Sequence, residues 1–111
     1  MKIDIETVVY LSGRSYEIPL LMALDKLGGS ARVPDVFPVV KKIMELERDY
    51  PGELDYYPTG NDLIWQNKTR WARHRLKAKG ELDGSVRGVW KITDKGRDRL
   101  SSRGLLAIEN K

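Results

Sequence analysis

The segment from Gln66 to Lys79 constrains this chain more than any other. Its fourteen residues carry six Lys or Arg and no Asp or Glu. Such a run can join a folded core only if its few apolar residues are held apart from its cations, and helical spacing does this. One side takes Ile64, Trp71, Ala72 and Leu76, with part of the Lys68 or Arg75 stem. The other takes Gln66, Asn67, Arg70, Arg73, His74 and Lys77. The spacing predicts a helix over roughly Leu63 to Lys79, stopped by Gly80. Trp71 is expected in the core, between Ile64 and Leu76 on the apolar side. Trp90 is expected to pack on a strand beside Val89 and Ile92. Trp65, near the helix start, has two readings, as support for the preceding loop or as a stacking contact.

Charge is divided along the chain. Met1 to Ile64 holds seven Lys/Arg against eleven Asp/Glu, whereas Trp65 to Arg103 holds twelve against four. A single segment of net +8 next to one of net −4 is the footprint of a polyanion partner. A solvated basic surface is the plainer alternative.

The remaining elements follow from periodicity and breakers. Leu20, Leu21, Leu24 and Leu27 recur at three and four in a first helix from about Glu17 to Leu27, ended by Gly28-Gly29. Pro19 is tolerable there only in the first turn. Ser30 to Val33 suits a short strand. Pro34 opens a second helix predicted to reach Arg48, with Val36, Val39, Val40, Ile43, Met44 and Leu46 as its apolar positions. Asp49 to Asp62, with two prolines and two glycines, reads as a loop. After the basic helix, Leu82 begins a strand, Asp83-Gly84-Ser85 turns, and Val86 to Ile92 returns. Thr93 caps a last helix from Asp94 to about Ser102. The expected fold is α+β, mainly α: helix, short strand, helix, helix, β-hairpin, helix, which is a winged helix-turn-helix. The expected organisation is an arm or strand over residues 1–14, the winged-helix domain over 15–103 and a tail over 104–111.

On such a fold the polar side of the basic helix carries the side chains that read a duplex. Arg suits guanine edges, and Asn or Gln suits adenine. Gln66, Asn67 and Arg70 are the expected base readers; Arg73 and Lys77 are expected on phosphates, with Lys68 and His74 on the same surface. Arg87, beside Gly88 at the hairpin tip, reads either as a wing contact or as an ordinary surface arginine. Lys91 extends the positive surface. Double-stranded DNA is the expected partner, with a protein-docking winged helix as the alternative. Dimerisation is expected through residues 1–14 or the last helix.

Catalytic signatures are sparse. The chain has no cysteine and one histidine, His74, flanked by Arg73 and Arg75, which repel cations. No Gly-x-Ser-x-Gly turn occurs, and Gly28-Gly29 lacks the lysine of a phosphate loop. The expectation is a protein that is not an enzyme and needs no metal or cofactor. The N-terminus has acids where a signal peptide needs apolar residues, and no run approaches a membrane span, so a cytoplasmic protein without a membrane partner is expected.

Several stretches together resemble the N-terminal domain of the Mrr family of restriction proteins. They are Tyr16-Glu17-Ile18-Pro19-Leu20-Leu21, Val33-Pro34-Asp35-Val36, Pro58-Thr59-Gly60, Trp65 to Ala72, Leu76-Lys77 with Gly80, and Arg87 to Thr93 with Gly96. The resemblance spans about Tyr16 to Leu100. It implies a winged helix that positions DNA for a nuclease domain; here that would be a separate subunit, or else the domain is a transcriptional regulator. Family members act on methylated DNA, and this chain's own residues carry no sign of such sensing. Lys79 departs from the family's usual small apolar residue and Glu81 from its usual leucine, so helix-to-wing packing is expected to differ.

Overall fold

The computed structural model describes residues 16–58 and 60–106. The expected arm over residues 1–14 and the end of the tail lie outside them. Helix α1 (Glu17–Lys26) buries Leu20, Leu21 and Leu24, as its periodicity predicts, and Ala23 beside them; Leu27, the fourth predicted position, is the half-buried C-cap. Gly28 and Gly29 follow at φ +93° and +104°, a region L side chains seldom enter, and lead into strand β1 (Ser30–Arg32).

Helix α2 (Val33–Met44) buries Val36, Val40 and Met44 and stops short of the predicted Arg48. Glu45 adopts a left-handed conformation (φ 52°, ψ 45°), and a separate short helix, α3 (Leu46–Asp49), begins after it. A left-handed non-glycine residue costs about 1–2 kcal/mol. The break places Leu46 and Tyr50 in the core, both buried. Burial returns ~1.5–3 kcal/mol for a large apolar side chain, so the exchange is favourable.

The predicted loop is partly ordered. A 3₁₀ turn spans Pro51–Leu54, and Tyr56 bridges to Leu63 across a closed loop. Ile64 N–H donates to the Asp55 carbonyl at 2.9 Å, which ties the start of helix α4 (Ile64–Ala78) to this segment.

Strands β2 (Leu82–Asp83) and β3 (Val89–Ile92) form the hairpin, and β1 joins it in an antiparallel sheet of order β1-β3-β2. Ala31 faces Trp90, and Leu82 faces Ile92. The returning strand is shorter than the predicted Val86–Ile92. Val89 N–H bonds back to the Val86 carbonyl, and Gly88 stands at φ +78°, so Val86 to Gly88 belong to the turn. Val33 N–H donates to the Gly88 carbonyl at 3.0 Å, which fixes the base of the turn to the start of α2.

Helix α5 (Asp94–Ser101) closes the domain. Thr93 caps it as expected: its hydroxyl accepts from Gly96 N–H at 3.1 Å and donates to the Gly80 carbonyl at 2.7 Å. Helix α1 lies at the centre, packed against α2, α4 and α5. The described residues thus form an α+β, mainly helical domain of winged-helix type.

Gly96 sets how closely α5 approaches the hairpin. A Cβ there would collide with the Glu81 carbonyl oxygen and lie 2.8 Å from Ile92 Cγ1. Gly96→Ala is expected to cost about 1–3 kcal/mol, the usual range for overpacking. Thermal denaturation measures this, and an unchanged melting temperature would contradict the close docking of α5.

Candidate nucleic-acid interface

Helix α4 buries Trp65, Thr69, Ala72 and Leu76, a row at spacings of four, three and four. The Thr69 hydroxyl satisfies itself by donating to the Trp65 carbonyl at 2.7 Å. Trp71 is not in this row. At 100° per residue it lies roughly a third of a turn away, and it is 57% exposed, contrary to the expectation that it is core. Trp65 takes the core position instead, 5% exposed, which settles its two readings in favour of packing. Its ring meets Phe37 edge-on at 5.7 Å, and Phe37 meets Trp90 edge-on at 5.9 Å. This aromatic chain joins α4, α2 and β3. Phe37 is the residue that periodicity in α2 missed, because it sits beside the Val36–Val40–Met44 stripe rather than on it.

The five cations of α4 and Lys79 at its C-cap divide between two sides. Lys68, Arg75 and Lys79 point toward the body. Lys68 Nζ bonds both Glu53 carboxylate oxygens at 2.9 and 3.1 Å, and Tyr16 donates its hydroxyl to the same carboxylate at 2.8 Å. Lys68 is therefore engaged in holding the Pro51–Leu54 turn, not presented outward as a DNA contact. Burial and the Glu53 carboxylate together push the Tyr16 hydroxyl far above its ordinary pKa.

Glu17 is 2% exposed and receives Lys79 Nζ at 2.8 Å and Arg99 Nη1 at 2.9 Å, with Arg75 Nε at 4.0 Å. Arg99 also donates to Glu81 at 2.8 Å. Burial raises the Glu17 pKa, but the hydrogen bonds and charges of Lys79 and Arg99 outweigh it, and the carboxyl lies below the usual range. Lys79 and Glu81, the two departures noted from the family pattern, thus belong to one ion network between the helix end and α5.

The outward face of α4 presents Asn67, Arg70, Trp71, His74 and Lys77. Arg70 pairs with Asp62 at 3.1 Å, but both side chains are largely exposed, so the pair is weak and screened by salt. Arg70 also lies 6.0 Å from the Phe37 ring centre. His74 rests against Trp71, ring centres 5.6 Å apart. Among the described residues, the side chains of Asn67 and Lys77 make no hydrogen bond or ion pair. Gln66 is half-buried and lines a cleft with Pro34, Phe37 and Lys41.

Arg73 reaches the hairpin turn: a Cβ added at Gly84 would lie 2.9 Å from its Nη2. Asp83, held below the ordinary carboxylate range chiefly by the Ser85 N–H, also feels the charges of Lys91 and Lys77. The outer helix face and the hairpin are therefore one continuous surface, with Arg87 exposed at the tip and Lys91 exposed on β3. Among the described residues no group of three or more His, Asp or Glu is gathered as a metal site, and no helix is long and apolar enough to cross a membrane. Residues 1–14, expected to aid dimerisation, are outside the described part.

A helical core centred on α1, a three-stranded sheet and an outward basic helix beside a hairpin define a domain of winged-helix type. The chain belongs to the Mrr N-terminal domain family, whose model matches residues 14–102, and so to a restriction-system-related class of domains. Comparisons with curated proteins and with solved structures gave no match.

The two tryptophans of α4 make opposite predictions. Trp65→Ala should cost ~3–5 kcal/mol, as for a buried large aromatic, and Trp71→Ala less than ~0.5 kcal/mol, as for a surface change. Urea denaturation of both variants checks this. A second expectation concerns acid. A carboxylate with a depressed folded pKa contributes stability above its unfolded value, about 4.3, and loses it as pH falls through the folded value. Glu17→Gln should lose about 2–3 kcal/mol at pH 7, less than for a wholly enclosed pair because Lys79 can rehydrate. It should also flatten the fall in stability below pH 5. A parallel pH profile for parent and variant would show that Glu17 does not carry this dependence.

Proposed function

We infer that this chain binds double-stranded DNA through the outer face of α4 and the adjoining hairpin, with no catalytic chemistry of its own. The observation that carries the reading is the division of cations on α4. Lys68, Arg75 and Lys79 meet Glu53 and Glu17, while Arg70 and Lys77 on the opposite face, with half-buried Arg73 reaching from its edge to the hairpin turn, stay clear of those acids and continuous with Arg87 and Lys91. A helix of about 10–12 Å diameter matches a major groove about 12 Å wide. Asn67 and Arg70 would meet base edges there. Arg73, Lys77, His74 and Lys91 would face the backbone, and Arg87 would approach the minor groove or a phosphate. The restriction-system setting of the family favours a domain that targets a nuclease over a transcriptional regulator.

Four cations meeting phosphates, Arg73, Lys77, Arg87 and Lys91, would release counterions with a slope of log K against log salt of about −3 to −4. Fluorescence anisotropy with a mixed-sequence duplex over a salt series reads that slope. Lys77→Ala and Arg87→Ala should each reduce it by roughly one unit, while Lys68→Ala should leave it unchanged and lower the melting temperature. No binding at low salt, or binding of protein partners alone, would sink the DNA reading in favour of a docking domain.

A further inference from the structure

The DNA reading accounts for the cations and Asn67 but leaves Trp71 without a role. This indole is 57% exposed, stands in the middle of the polar face, and contributes nothing to the buried row of Trp65, Thr69, Ala72 and Leu76. Its ring is held 5.6 Å from His74 at a 45° tilt, so it is braced. Asn67 lies one turn before it and Arg70 beside it.

An indole has one N–H donor, no strong acceptor and a wide apolar face. Phosphate oxygens gain little from such a surface. The floor of the major groove offers donors, acceptors and a single apolar group, the C5-methyl of thymine. A second copy of this chain is a poor occupant, because it would bring Arg70 and Lys77 of two molecules face to face; a polyanion is the complementary one. Resting on the DNA reading above, we propose that Trp71 reads a thymine C5-methyl group in the major groove. One helical turn rises about 5.4 Å and one base pair about 3.4 Å, so this thymine falls within about two base pairs of the base met by Asn67.

The test begins with a preferred duplex selected from random DNA. Each thymine is then replaced singly by deoxyuridine, which removes only the methyl group. The parent protein should lose about fourfold in affinity at one or two positions, the value of burying one methyl group. Trp71→Ala should bind the thymine duplex more weakly, show no difference between thymine and uracil there, and keep the parent's salt slope. Trp71→Phe, which retains an apolar ring, should retain the discrimination even if the alanine variant folds poorly. Equal uracil sensitivity in parent and Trp71→Ala, or no sensitive position in the parent, would overturn the proposal while leaving DNA binding intact. A change from dimer to monomer in Trp71→Ala, seen by sedimentation with thymine discrimination unaltered, would also overturn it. Failure of the parent to bind any duplex would remove the DNA reading and this proposal together.

Discussion

The buried Glu17 carboxylate is the constraint on which the arrangement of helices depends. It sits in the first turn of the central helix and is almost wholly removed from water. An unpaired carboxylate there would be costly, so its oxygens must be met by cations from other elements. Lys79 arrives from the end of α4 and Arg99 from α5, and Arg99 carries the link on to Glu81 at the foot of the hairpin. Glu17 thus sets how the end of α4 and α5 approach α1, and Glu81 extends the network to the hairpin. Hydrophobic burial supplies more energy, but it is tolerant of small rotations; directed hydrogen bonds to a buried charge are not.

Glu53 does the same for the opposite end of α4. It accepts from Tyr16 and Lys68, so the turn before α4 is tied both to the start of α1 and to the first half of α4. Neighbouring residues Tyr16 and Glu17 therefore anchor the two ends of the basic helix. Rotation of α4 about its axis is limited from both ends. That is why the same five residues, Asn67, Arg70, Trp71, His74 and Lys77, all face outward.

Much of this is legible in the sequence. The stops at Gly28-Gly29 and Gly80, the Thr93 cap and the leucine stripe of α1 are local features, and all four stand where periodicity and capping put them. The break at Glu45 was not legible, since nothing in Met44-Glu45-Leu46 marks a left-handed residue; it exists because Leu46 and Tyr50 gain burial by it. The hairpin is shorter than its apolar run suggests, because the turn geometry of Val86 to Gly88 overrides strand propensity. Trp71 departs from its expected place for a related reason. A helical wheel with apolar residues on both flanks of Ala72 and Leu76 has two possible buried sides, and only the position of Phe37 decided for Trp65.

By itself the sequence determined which segments are helices, where most of them begin and end, and that one segment carries the positive charge. Those properties rest on bonding and side-chain spacing within a few residues. Which way the basic helix faces was decided only by the tertiary structure. The acids that take up Lys68, Arg75 and Lys79 come from positions 15 and more than 50 residues away. Charge neutralisation across such separations requires the fold to be formed first, so no local pattern can display it.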